Sequence, residues 1–167
     1  HRYDMSDAAV IDPNVAQRRA ADPSASVWVS AAAGSGKTKV LTDRVLAVLL
    51  SGTEAHRILC LTFTKAAAAE MANRISRELA IWAVAEPQDL TDRLSRLLGT
   101  VPNSALTRTA RRLFAEVLDS PGGLKIQTIH SFCESLLARF PVESGITPQT
   151  QVMDERSAAE LMRTARD

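Results

Sequence analysis

A run of very small side chains comes just before a lysine and a threonine, in the stretch "AAAGSGKT" at residues 31–38. Where such a loop leads into a helix, consecutive backbone N–H groups can face one anion at the positive end of the helix. Gly34 and Gly36 would let the backbone wrap a phosphate, with Ala33 and Ser35 as the other residues of the loop. The residue types and their spacing therefore predict a site for the phosphates of a nucleotide.

Lys37 and Thr38, which follow the loop, are the catalytic candidates. The Lys37 ammonium group would reach the β- and γ-phosphate oxygens, and the Thr38 hydroxyl would be a ligand of Mg²⁺. Ala31 stands where the usual pattern has its first glycine, which is a small departure. A turn that merely contains a lysine is the alternative, and the predicted strand and helix on either side disfavour it.

A second set of polar and aromatic residues follows two later predicted strands. "LTFT" ends with Thr62, Phe63 and Thr64, and "KIQTIH" places Thr128 and His130 after the next strand. Because ligands of open α/β sheets bind at the carboxyl ends of the strands, these residues could meet there, with the ring stacking on a base and the hydroxyls bonding phosphates. The alternatives are a core phenylalanine, ordinary strand threonines and a histidine at a helix cap.

Strands and helices alternate along the chain, which indicates an α/β fold with a parallel sheet flanked by helices. A run of small, strongly helix-forming residues after Phe63 places Met71, Ile75, Leu79 and Trp82 along one face. We predict buried strands at 26–31 and 57–63, a third strand at 124–128, and helices at 13–22, 37–50, 65–83, 86–120, 130–140 and 153–167.

Composition limits the class of protein. The 167 residues are 46% hydrophobic and 23% charged, which suits one soluble domain with no membrane-spanning run. Twenty basic and 19 acidic residues give a net charge of +1, so the overall charge neither favours nor excludes a nucleic-acid partner. Cys60 and Cys133 lack metal-ligand spacing, which fits a reducing compartment such as the cytoplasm. Residues 1–4, before Met5, are expected to be a cloning remnant.

Four stretches in order resemble motifs of the UvrD/Rep-type superfamily 1 DNA helicases. They are "AAAGSGKTKVLTDRV", "LTFTKAAAAEMANRI", "IQTIHSFCESLLARFP" and "QVMDERSAAELM". Within that family the chain is most similar to the AddA subunit of bacterial double-strand-break repair helicase-nucleases. The resemblance implies an ATP-driven, 3′ to 5′ DNA helicase that acts on single-stranded and duplex DNA with a second, AddB-type subunit.

The resemblance also implies roles for single residues. Gln17 would recognise the adenine of ATP, because a carboxamide can both donate to and accept from one edge of the base. Lys37 and Thr38 keep the phosphate and Mg²⁺ roles. The DNA contacts would come from Thr62, Phe63, Thr64, Thr128 and His130.

The same resemblance implies a domain plan. Residues 5–140 would be the first part of a P-loop RecA-like motor domain, 1A, with a helical insert at about 86–120, and 141–167 the start of a helical 1B insertion. Asp154 and Glu155 follow no apolar strand, so the acids that hydrolysis needs are missing from this chain. We therefore expect it to bind nucleotide but to be inactive alone.

Two other classes of protein remain open. A P-loop kinase or other phosphotransferase would use Lys37 and Thr38 without responding to single-stranded DNA. A nucleotide-gated binding module would bind ATP without hydrolysing it. A Phe63→Ala variant distinguishes the helicase, because only the helicase should lose single-strand binding while its nucleotide affinity is unchanged.

Overall fold

The protein is seen in a computed structural model that describes residues 13–30, 34, 36–145, 147, 153 and 155–166. The predicted cloning remnant and the positions Ala31, Ala33, Ser35 and Asp154 lie outside the described residues.

Helices make up most of the described chain, and many of their boundaries match sequence signals. Pro13 is the first residue of α1 and Pro87 the first of α4, the position where a missing N–H costs least. Asn103 caps α5, its side chain accepting a hydrogen bond from Leu106 N at 2.8 Å. The elements are α1 Pro13–Ala21, α2 Lys37–Leu50, a 3₁₀ turn Ala55–Arg57, β1 Leu59–Thr62, α3 Lys65–Val84, α4 Pro87–Leu98, α5 Ser104–Asp119, β2 Lys125–Thr128, α6 Ile129–Arg139, α7 Pro141–Ser144 and α8 Glu155–Thr164.

Within the described ranges, the sheet consists of β1 and β2, which pair in parallel. Cys60 lies opposite Ile126, and both pack against the hydrophobic core. Leu59 and Leu61, on the other face of β1, are exposed. The strand at 57–63 was therefore predicted to be more buried than it is, because helices cover only one face of this sheet.

The strand predicted at 26–31 is wrong. Residues 26–30, all of which the structure describes, form no strand, and Trp28 is 93% exposed. A strand needs a hydrogen-bonded neighbour, and a high β propensity describes a residue's fit to a half-buried sheet surface rather than a backbone preference. No neighbouring strand in the described chain offers that surface to Val27, Trp28 and Val29.

The core lies between α2, α3, α4 and α5. Met71, Ile75, Leu79 and Trp82 are all buried, which confirms the predicted inner face of α3. The helices at 87–119 contribute further side chains with 4% exposure or less: Leu90, Leu94, Ala110 and Leu113. This pair of helices therefore covers α2 and α3.

Two polar networks tie α3 to its neighbours. Trp82 Nε1 donates to Glu78 Oε1 at 3.0 Å, and Arg93 Nη1 on α4 donates to the same carboxylate oxygen at 3.3 Å. Arg111 on α5 donates to the carbonyls of Ala83 and Ala85 at 3.3 and 2.8 Å, at the C-terminal end of α3. No helix in the described part of the chain is long and apolar enough to cross a membrane.

Candidate nucleotide and nucleic-acid site

Two glycines with left-handed backbone lie before α2. Gly34 has φ 80° and Gly36 φ 86°, a region that glycine enters without the steric cost that a Cβ brings. Gly36 directly precedes the helix and offers no side chain to cap its first N–H groups. Among the described residues, a Cβ at Gly34 would meet no atom within 4 Å, and one at Gly36 would meet only Gln17 Nε2, at 3.7 Å. The loop is therefore open.

Lys37 and Thr38 form the first turn of α2, as predicted from the sequence. Lys37 is exposed and Thr38 half-buried. The Thr38 carbonyl accepts a hydrogen bond from the buried Thr42 hydroxyl at 2.9 Å, which ties this turn to the next. The described residues contain no group of three His, Cys, Asp or Glu side chains that could hold a metal ion, so Thr38 is the candidate ligand here.

Gln17 lies beside the loop although it comes from a different helix. Its Nε2 is the closest described atom to the place where a Cβ on Gly36 would stand. Ala20 and Ala21, one turn further along α1, are buried. The structure thus brings Gln17 next to the start of α2, where its predicted adenine role needs it.

Arg44 holds α1 to α2 and was missed in the sequence. Its Nη1 donates to the carbonyls of Ala20 and Asp22 at 3.1 and 2.7 Å, and its Nη2 to that of Ala25 at 2.6 Å. These partners are 19 to 24 residues away and are all backbone groups, so no local pattern marks them.

The turn after α1 has its own support. The Asp22 carboxylate accepts hydrogen bonds from the Ser24 hydroxyl at 2.7 Å and the Ser24 N–H at 2.9 Å. These bonds, followed by the nearby Arg44 charge, lower the pKa of Asp22. The carbonyls that Arg44 binds therefore lie in a turn closed by its own side chains.

The ends of β1 and β2 meet at one edge of the sheet. Thr62 lies in register with Thr128, on neighbouring parallel strands. Phe63, the next residue after β1, is 85% exposed, so the alternative of a core phenylalanine is wrong. Thr64 is exposed, as is His130 in the first turn of α6. The five residues predicted at this edge are therefore grouped there.

Two of these threonines cap helices. The Thr64 hydroxyl accepts from Ala67 N at the start of α3, and the Thr128 hydroxyl from Ser131 N at the start of α6, both at 3.1 Å. Thr128 is buried and also shares a hydrogen bond of 2.9 Å with the Ser131 hydroxyl. Both threonines thus fix where a helix begins, and Thr128 thereby positions His130.

Comparison with known proteins agrees with this arrangement. The family described as "UvrD/REP helicase N-terminal domain" matches residues 13–167. The chain belongs to this helicase family. The phosphate loop, the ends of both strands and the insert at 87–119 all fall inside the matched region of this UvrD/REP-family chain.

Curated relatives confirm the AddA-type similarity that the motifs predicted. Three of them are named for the AddA-type chain of an ATP-dependent helicase/nuclease. The protein of Lactobacillus johnsonii is 37% identical over 137 residues, covering 82% of this chain and 10% of its own length. That of Lactobacillus gasseri is 35% identical over 85% of this chain and 10% of its own. That of Limosilactobacillus reuteri is 32% identical over 90% of this chain and 10% of its own. The UvrD/REP-family chain therefore spans about a tenth of the length of these relatives.

Proposed function

We propose that the chain is the ATP- and DNA-binding part of an AddA-type, ATP-driven DNA helicase that acts on single-stranded and duplex DNA in double-strand-break repair and recombination. Membership of the UvrD/REP family and the names of the relatives support this. Residues 5–140 are assigned to a P-loop RecA-like domain 1A and 141–167 to the start of 1B. The parallel pairing of β1 with β2 is consistent with that assignment.

The nucleotide site is assigned to the loop before α2. The left-handed backbone and open surroundings of Gly34 and Gly36 suit a phosphate, and the uncapped N–H groups of α2 can donate to it. Lys37 would balance the charge of the β- and γ-phosphates, Thr38 would hold Mg²⁺, and Gln17 would bind the adenine edge. When bound, Mg²⁺ supplies positive charge that stabilises the transferring phosphoryl group.

The DNA site is assigned to the edge formed by the ends of β1 and β2. The observation that carries the proposal is the 85% exposure of Phe63 beside the paired Thr62 and Thr128. A large apolar ring normally avoids this position, whereas base stacking is sequence-tolerant and uses the face of such a ring. Thr64 and His130 would add contacts to the phosphate backbone.

The whole protein would couple the two sites. Hydrolysis of ATP would change the grip of the Phe63 edge on successive nucleotides. An AddB-type partner protein would complete the assembly, and its compartment would be the cytoplasm. The chain alone would bind nucleotide without efficient turnover, because the acid that orients the attacking water is not among its predicted site residues.

The test is the ATP turnover rate of the full-length protein that contains this chain, with and without single-stranded DNA. We expect strong stimulation by DNA, and its loss in Lys37→Ala. Turnover that ignores DNA but is transferred to a small-molecule acceptor would instead indicate a phosphotransferase. MgATP binding without any turnover, in the presence or absence of DNA, would indicate a nucleotide-gated binding module.

A further inference from the structure

We propose that Arg44 is a positioning residue that gives the phosphate-loop site its preference for adenine, by holding Gln17 in place. The inference rests on the proposed nucleotide site. It concerns a side chain that lies outside the phosphate loop and outside the DNA edge.

Arg44 makes an unusually complete set of contacts for a helix surface residue. Two of its nitrogens bond three carbonyl oxygens, those of Ala20, Asp22 and Ala25, between 2.6 and 3.1 Å. A guanidinium group is planar, with five donors in a fixed fork, so it can hold several acceptors at once in one geometry. A lysine ammonium has no such fork and would not fix the same arrangement.

The contacts meet α1 where a cation is favourable. Ala20 O is among the last carbonyls of α1, which have no partner within the helix, and the partial negative charge of the helix end attracts the guanidinium. Asp22, whose carboxylate is bonded to Ser24, continues this acceptor surface in the following turn. Arg44 therefore caps α1 and fastens the turn after it to α2.

Little else fixes α1 through apolar packing. Of its described side chains, only Ala20 and Ala21 are buried, and each contributes just one methyl group. Gln17 lies three and four residues before these alanines, and so on the same face of the helix. The position of the Gln17 carboxamide beside Gly36 therefore depends on the Arg44 contacts one turn further along.

Base recognition should be more sensitive to this clamp than phosphate binding. Reading the adenine edge needs a donor and an acceptor of one carboxamide in register with the base. The phosphate groups are addressed from α2 itself, by Gly36, Lys37 and Thr38, whose positions do not depend on α1. Loss of the Arg44 contacts should therefore reduce discrimination between bases and leave the affinity for a base-free phosphate chain unchanged.

The experiment uses the full-length protein and three probes: MgATP, MgGTP and the magnesium complex of inorganic tripolyphosphate. Dissociation constants are measured for wild type, Arg44→Gln, Arg44→Lys and Gln17→Ala. Arg111→Gln is the matched control, because its guanidinium also bonds two backbone carbonyls at the end of a helix, α3, away from the loop. In Arg44→Gln we expect the preference for ATP over GTP to fall about tenfold, with tripolyphosphate affinity within about twofold of wild type.

Each outcome decides a separate point. Arg44→Lys, the milder change, should lose part of the preference, which keeps the test valid if Arg44→Gln does not fold. A preference retained in both Arg44 variants but lost in Gln17→Ala overturns the positioning role. So does an equal loss of ATP and tripolyphosphate affinity, or the same loss of preference in Arg111→Gln. A wild type that binds no MgATP refutes the proposed nucleotide site itself. If wild type binds MgATP but Gln17→Ala keeps the preference, the adenine role of Gln17 is wrong, and this inference with it.

Discussion

Replacing Phe63 by alanine should weaken DNA binding far more than it weakens the fold. A phenylalanine side chain offers about 200 Å² to bury. Since Phe63 is 85% exposed, only about 30 Å² of this is covered in the folded chain. At about 25 cal/mol per Å², the loss in free energy of unfolding is about 0.8 kcal/mol. Loss of one stacked base should cost about 1–3 kcal/mol of binding, or roughly 5- to 150-fold in affinity.

The assay is fluorescence anisotropy with a labelled single-stranded oligonucleotide on the full-length protein, beside urea unfolding of the same variants. Phe63→Trp keeps a stacking ring and should retain the affinity. Val101→Ala removes another exposed apolar side chain, 80% exposed in the loop before α5, and should leave DNA binding unchanged. Unchanged affinity in Phe63→Ala, with the fold intact, would refute the stacking role.

Three further predictions test the fold and its chemistry. Leu94→Ala should lower the free energy of unfolding by about 2–5 kcal/mol, because Leu94 is fully buried under the insert; a loss below about 1 kcal/mol in urea unfolding would mean that the insert is not part of the core. Thr128→Ala should cost about 1–2 kcal/mol by the same assay, more than Thr64→Ala, because the Thr128 cap is buried; equal losses would contradict this. Cys133 is exposed whereas burial raises the pKa of Cys60, so less thiolate forms at Cys60 and iodoacetamide at mildly alkaline pH should modify Cys133 first; equal rates, followed by mass spectrometry of peptides, would count against it.

Sequence signals that act over one or two helical turns predicted this structure well. The spacing of Met71, Ile75, Leu79 and Trp82 predicted the buried face of α3, since helical periodicity alone decides which side chains share a face. The prolines that open α1 and α4 act through a local steric rule and were equally informative.

Features that depend on distant neighbours were harder to predict. The apolar stretch at 26–30 has strand composition, but a strand also needs a partner, and the described chain supplies none there. Arg44 looks like any exposed arginine until α1 folds back onto α2 and presents its carbonyls. The clustering of Phe63 with Thr128 could be predicted because parallel strands place their carboxyl ends together, a rule of topology rather than of local sequence.

The central claim is that the phosphate loop and the edge carrying Phe63 form two coupled sites. The most direct test is the affinity of the full-length protein for a single-stranded oligonucleotide, measured with and without a saturating non-hydrolysable MgATP analogue. Coupling of about 1–3 kcal/mol corresponds to a shift of about 5-fold or more. We predict such a shift in wild type and its absence in Lys37→Ala. Identical DNA affinities with and without the analogue, in a protein shown to bind both ligands, would contradict the account.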